Sequence, residues 1–592
     1  MGTASANPAS LYSYSAVTTR AAQELQDFVR TSVAPALLAY ARHQKCLPPI
    51  DGKVLARLKE VTATDTWVRT VGQAFLEAGG GGTGDVLTPN RTVVTTDNAL
   101  SAATARLAAR DYRTISQNHI KDPAAAAAAL AHMNQLMEDN RDDPRFAAAL
   151  LQQMGQRGLL DMMAKLAVMG RHGETTQAAA AQRHLSSLLA QATDPSSPGH
   201  LDQSWVAALV EAAGQPYQVT PSMDVTGWQL LEPLLQNPSA HFSTPFLTTV
   251  GHGLLADERK YGSHGKAPWA TPMGNALPPL NLITKGDGGW DPMIGLLNAL
   301  SRNPEAATIL LDPNPTGPDK ATLEYLLSKR GWPYDNGSHA GQAALGNALR
   351  AAAASHPSEP AQQRIAAELV RVLGHDFGGK VAAPLQPGVT DVLTAHIASG
   401  HVNDAFSRAP HGPGSPEFTK MYLQEVMADL AQNPDQYNKL TSTEIAYARL
   451  HFGETPSLTA SAMAQVLGSL THGRVAGNTA SHKSADDRHN AWVDRISWGV
   501  DQALGHVPAE GTPAQLGLQG VQALASRIEA SYRQDSSEKA RLEGNSLSAE
   551  RQSDLMNAVQ QLARKTGHSD EAAELSEQAS VVFGQASTNG VS

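Results

Sequence analysis

Histidine is the residue most able to do chemistry in this sequence, and there are 21 of them. Imidazole binds metals and moves protons near neutral pH, but a metal site needs two or three ligands on one face, as in H-E-x-x-H. That spacing does not occur. His252, His264 and His411 each stand beside glycine, and His472, His482 and His489 lie near Asp486 and Asp487 at spacings that match no ligand pattern. Cys46 is the single cysteine, so an intramolecular disulfide and a multi-cysteine zinc site are both excluded. With no base in its local motif it reads as a buried structural thiol, suited to folding in a reducing cytoplasm.

Glycine-rich segments could cradle phosphate. Gly79-Gly80-Gly81-Gly82-Thr83-Gly84 matches the dinucleotide fingerprint by letter, but that motif needs a strand before it and a helix after it. Here a helical pattern precedes and an extended polar stretch, Val86 to Asp97, follows, so the segment reads as a linker. Gly265-Lys266 and Gly378-Gly379-Lys380 lack the remaining letters of a P-loop. No G-x-S-x-G elbow is present. Gly286-Asp287-Gly288-Gly289-Trp290-Asp291 lacks the alternating oxygen ligands of a calcium loop and reads as a turn feeding a helix capped by Asp291. The sequence therefore implies no catalytic residue, no metal and no cofactor.

The elements that would have to position any such residues are helices. The chain has 592 residues, 93 of them alanine, and only 5% are aromatic. Alanine is the best helix former and is depleted in strands, so a mainly α, multi-helix assembly with minor irregular or short β content is expected. Six helix starts share one signal: Asp122-Pro123, Asp143-Pro144, Asn237-Pro238, Asp291-Pro292, Asn303-Pro304 and Asn433-Pro434. The Asp or Asn side chain caps the helix, and proline takes the first helical position where its missing N–H costs nothing. The runs after Asp143 and Asn303 resemble each other and suggest an old duplication, without the fixed period of a solenoid.

Ala21 to His43 and Val54 to Ala78 read as two helices of an antiparallel hairpin, with residues 1–15 frayed. On the second helix Trp67, Val71 and Phe75 recur at i, i+4 and i+8, which predicts an apolar stripe able to face a partner or the body of the chain. Composition shifts divide the chain into 1–84 (hairpin and glycine linker), 85–285, 286–500 and 501–592, the last with helices at 514–530 and 547–562. Residues 455–473 suit an amphipathic helix bearing Leu458, Met463, Val466, Leu467 and Leu470. No segment reads as a membrane span and no cleavable signal peptide is visible. The net charge of −10, with no basic block, argues against general nucleic-acid binding.

Several stretches together carry a resemblance: Asp65 to Phe75, Asp291 to Leu300, Asn303 to Ala307, Tyr325 to Leu327 and Met427 to Tyr437. The chain resembles a family of large helical proteins of Streptomyces and other actinobacteria, associated with polymorphic-toxin carriers and with WXG-type hairpins that serve type VII (ESX-like) secretion. In this sequence Leu47-Pro48-Pro49-Ile50-Asp51-Gly52 stands at the hairpin turn in place of W-x-G, and Tyr532 is followed at the fourth place by Ser536 rather than Asp or Glu. The resemblance implies a non-enzymatic helical scaffold with a protein partner, cytoplasmic or exported by a non-Sec route. The alternative is an enzyme or effector with an unrecognised active site, or a structural component of a phage-like injection or defence particle.

Overall fold

The computed structural model describes residues 3–36, 66–79, 92–220, 223–261, 269, 278–314, 316–317, 319, 321–333, 339–407, 417–480 and 547–588. Cys46, the hairpin turn, most of the glycine linker, His264, His411, His482, His489 and the helix expected at 514–530 lie outside them. The described chain is helical apart from two two-stranded antiparallel sheets, so the mainly α expectation holds. Backbone contacts divide it into two compact units, Met1–Leu230 with Pro278–Ile283, and Leu231–Leu277 with Thr284–Ser592.

The first unit opens with a correction. Residues 1–15, expected to fray, supply strand β1 (Thr3–Ala6) and the first two turns of α1 (Pro8–Phe28), which runs on through a wider turn at Val29–Val33. The signal was present: Asn7-Pro8 is a seventh Asx-Pro start, and the Asn7 side chain accepts from Ser10 N at 3.1 Å. Helix α2 spans 66–78. Gly79, just beyond it, lies against Val93 of β2 (Val93–Thr96), and β2 pairs antiparallel with β1. The end of α2 therefore sits by the start of α1, and the two helices run antiparallel. Gly72 of α2 faces Leu11 and Tyr12, and the Tyr12 hydroxyl bonds Gln73.

Behind this hairpin stand α3 (Asp97–Asn118), α4 (Pro123–Asp139), α5 (Pro144–Met169) and α6 (Thr175–Ala192), packed on one another. Their shared core is aliphatic and methionine-rich: Leu150, Leu151, Leu159, Leu160, Met133, Met137 and Met162 are fully buried. Unbranched thioethers fill irregular gaps between helices that carry mostly alanine. Gly155 breaks α5 at φ 69°, ψ 169°, a conformation open to glycine alone at no steric cost. Helix α7 (Gln203–Ala213) and the hairpin β3 (Pro216–Thr220) and β4 (Met223–Thr226) follow. The strap 278–283 returns to α6, where the Gln182 side chain donates to Leu280 O at 2.7 Å and accepts from Leu282 N at 2.9 Å.

Helix α8 (Gly227–Gln236) leads into the second unit. That unit holds α9 (Thr244–Tyr261), α10 (Pro292–Leu300), α11 (Pro304–Leu311), α12 (Ala340–Ala354), α13 (Pro360–Phe377), α14 (Gln386–Ala398), α15 (His401–Ser407), α16 (Lys420–Ala431), α17 (Pro434–His451), α18 (Pro456–Ala480), α19 (Leu547–Lys565) and α20 (Ala572–Thr588). Five of the six predicted Asx-Pro starts open helices there or in the first unit, each with the expected side-chain cap. Asn237-Pro238 does not. Asn237 directly follows α8 and makes a turn instead, its side chain accepting from Ser239 N and its carbonyl from Ala240 N. Helix α12 crosses α14 at Gly346 and Gly388, so close that a Cβ on Gly388 would stand 2.1 Å from the Gly346 carbonyl. Helix α18 covers the segment expected to be amphipathic, but residues 462–471 are all buried, so it is a core helix enclosed on every side rather than one with a polar face in water. Met463, Val466, Leu467 and Leu470 are buried beneath its neighbours, among them α16 and α20, while Leu458 stays exposed.

Candidate functional site

The three residues singled out by spacing part company in the structure. Phe75 is buried, Val71 is half-buried and Trp67 is 45% exposed. Each i, i+4 step turns about 40° past a full helical turn, so eight residues carry the stripe roughly 80° around α2. Its C-terminal end enters the body of the first unit, with Ala74 beside it, and Trp67 at its N-terminal end is left on the surface.

Sequence reasoning missed the larger apolar surface, on α1. Tyr14, Val17, Leu25 and Phe28 are 57%, 66%, 49% and 57% exposed, and Ala21 between them is exposed as well. At about 100° per residue these five positions fall within an arc of roughly 80°. The buried face of the same helix, marked by Pro8, Ser15 and Ala22, lies about a third of a turn away. Helix α1 thus carries two stripes, one spent on the unit and one open. The 3-4-4-3 spacing of the open stripe is readable in the sequence, but it straddles the boundary between residues 1–15, expected to fray, and the helix expected from Ala21 to His43.

A polar chain of three side chains ties α2, α3 and α4. His132 Nδ1 lies 2.8 Å from Asp111 Oδ2, and His132 Nε2 lies 2.8 Å from Thr70 Oγ1. Hydroxyl, imidazole and carboxylate in this order is the arrangement of a nucleophilic hydrolase. Three features argue for a clasp instead. The Thr70 hydroxyl donates to Thr66 O at 2.9 Å, which spends its one proton and makes it the acceptor from His132. The hydrogen bond to Asp111 raises the His132 pKa, which favours the imidazolium that donates to both neighbours. Thr70 also sits within a helix, where neighbouring amides are engaged in the helix's own bonds and cannot serve an oxyanion.

The second unit buries its charge. Arg330 and Glu258 have fully buried side chains, and Asp291 is 3% exposed. Arg330 Nε donates to Glu258 at 2.6 Å and Nη2 to Asp291 at 2.6 Å, while its guanidinium stacks 4.2 Å from the Trp332 ring centroid. Glu258 also accepts from Trp269 Nε1 at 2.9 Å and from the Tyr325 hydroxyl at 2.7 Å. Nearby, Gln236 Nε2 bridges Glu232 and Asp287; burial, then the charge of Asp287, pushes the Glu232 carboxyl well above the usual range. These paired carboxylates resemble an acid–base couple, yet Glu232 is fully buried and Asp287 nearly so, and neither can meet a substrate. Glu444, buried against Asn403, is pushed up to about 8 by desolvation. His396, wedged between His401 and the Ala353 carbonyl, is pushed down to about 3 by burial and then by His401.

One open cleft of about 910 Å³ lies in the first unit between the start of α5 and the loop before α7, lined by Arg145, Gln152, Gln156, His200 and Asp202 among others. Asp202 is occupied as the cap of α7. His252 bonds Asp319, and His472 bonds the Ser587 carbonyl, so neither joins a ligand set. Among the described residues no group of three His, Cys, Asp or Glu is placed to hold a metal, and no helix is long and apolar enough to cross a membrane. Comparison with protein-family profiles, curated proteins and solved structures finds no match.

Proposed function

We propose that this chain is a non-enzymatic helical interaction protein whose N-terminal helix presents an apolar face to a protein partner. The observation that supports the reading is the open stripe Tyr14, Val17, Ala21, Leu25 and Phe28 on α1. A helix that buries one face and exposes a second, continuous apolar face over four turns is built to pack twice. Covering the four large side chains is worth roughly 1.5–3 kcal/mol each when burial is complete, enough to drive association against its entropic cost. The buried ion cluster of the second unit fits a rigid body rather than a reaction centre. The resemblance to actinobacterial toxin carriers extends the reading to a scaffold in a type VII-like secretion or polymorphic-toxin setting, and that extension rests on the resemblance alone.

The test is photo-crosslinking in the cells that make the protein. A photoreactive residue at Val17 or Leu25 is expected to give a discrete protein adduct that the same residue at Gln23, on the opposite side of α1, does not. Equal labelling at all three positions, or none, overturns the proposal.

A further inference from the structure

The spacing of the open stripe is the same read in either direction. Val17 and Leu25 lie four residues to either side of Ala21, and Tyr14 and Phe28 lie seven to either side. We infer that the partner of this face is a second copy of the same chain, its α1 running antiparallel across a two-fold axis at Ala21. This deepens the interaction reading above and rests on it. A two-fold contact requires a patch complementary to itself, and a stripe symmetric about one residue meets that requirement. The pairing sets Tyr14 against Phe28 of the second copy and Val17 against Leu25, with the smallest side chain at the crossing, where helices approach closest.

Charge decides the direction. One flank of the stripe carries Arg20, Glu24 and Asp27, and the other, beside Leu25, carries Thr18 and no charged residue. Antiparallel helices set like flanks together. Glu24 of the second copy then falls two residues, about 3 Å along the axis, from the level of Arg20, and the reciprocal pair forms on the other side of the two-fold. Arg20 and Glu24 already hold each other at 3.0 Å with both side chains largely exposed, so the four form an alternating network. A parallel pair would instead set the charged flank against the uncharged one and leave these groups without a charge partner across the contact.

The experiment uses the full chain with Cys46→Ser, so that each introduced thiol is the only one. Under mild oxidation Ala21→Cys is expected to form a covalent dimer with itself, and Gln23→Cys to remain monomeric. Tyr14→Cys and Phe28→Cys, mixed with different tags, are expected to link to each other and not to themselves. In sedimentation the Cys46→Ser protein is expected to dimerise below about 100 μM, and Val17→Glu to weaken the association constant at least roughly tenfold by burying a charge. Self-linking at position 14 and at position 28, without the mixed product, overturns the antiparallel arrangement. A monomer at about 100 μM with no Ala21→Cys dimer overturns the second copy as partner. In that case a Val17 photo-adduct to a different protein keeps the interaction reading, and its absence removes both.

Discussion

The N-terminal helix of the first unit and the centre of the second place their side chains in opposite ways. Around Arg330 the second unit takes three charges out of water and satisfies them with one another, with Trp269 and with Tyr325. Along α1 the first unit leaves four large apolar side chains in water with nothing to cover them among the described residues. Buried charge is costly unless paired, so a closed ion cluster is complete within its own fold. Exposed apolar surface is costly until something covers it, and under the proposed reading a partner does so. The two regions separate what holds the chain together from what it offers outward.

The cluster should therefore be the place where one substitution does most harm. Arg330→Met is expected to cost about 3–5 kcal/mol, because Glu258 and Asp291 lose their shared counter-charge in a buried site. Chemical denaturation reads this as a lowered midpoint. Adding Glu258→Gln and Asp291→Asn to Arg330→Met should recover much of the loss, since a neutral set leaves no charge buried alone. If the single variant falls within about 0.5 kcal/mol of the parent, the cluster is not the brace described here.

The next effect depends on pH. The folded Glu444 carboxyl titrates near 8 rather than 4.5, so the folded state holds an extra proton between those values. Its contribution is complete below the unfolded pKa and is lost as pH rises toward 8. His396 has the opposite sign: with a folded value near 3 against 6.5, the unfolded chain takes the proton first. Its contribution is complete above about 6.5 and is lost as pH falls. The two slopes oppose each other between about 4.5 and 6.5, which predicts a plateau of stability there and a decline on either side. Glu444→Gln should remove the alkaline limb, stabilising the protein by on the order of a few kcal/mol near pH 8 and little near pH 4. A thermal scan across pH in which the alkaline limb survives would refute the assignment.

Much of the fold was legible and little of the site was. Helix starts could be read because capping is local: Asp122, Asp143, Asp291, Asn303 and Asn433 each bond an amide two or three residues on. Asn237 fails by the same local logic, since it directly follows α8 and turns the chain before another helix can begin. The buried carboxylates gave no such signal. Glu258, Asp291 and Arg330 are 33 and 39 residues apart along the chain and meet only in the folded unit, and no spacing rule anticipates that. The stripe on α1 lies between these cases. Its periodicity was in the letters, but its exposure depends on Ser15 and Ala22 being the face that packs, which only the tertiary contacts reveal.

The Thr70–His132–Asp111 chain sharpens the contrast with a smaller effect. Read as a clasp, Thr70→Val removes one partly buried hydrogen bond and should cost about 1 kcal/mol. Asp111→Asn should cost somewhat more and lower the pKa of His132, because the hydrogen bond to Asp111 is what raises it. An NMR titration of the His132 ring checks the direction. A fluorophosphonate that labels Thr70 covalently would favour a nucleophile over a clasp.

The smallest effect on stability is expected where the effect on association is largest. Val17→Ser and Leu25→Ser alter side chains that are 66% and 49% exposed, so the monomer loses little burial when they are shortened. Their cost in denaturation of the monomer should stay within about 0.5 kcal/mol, the range of ordinary surface changes. Ala22→Ser, one position from the centre of the open stripe but on the packed face, should cost more, because Ala22 is 5% exposed and a hydroxyl there must be desolvated. Neighbouring residues of one helix would then answer differently, one set through assembly and the other through folding. Should Val17→Ser destabilise the monomer as much as Ala22→Ser does, the stripe belongs to the interior of the fold, and the distinction between the two faces of α1 fails with it.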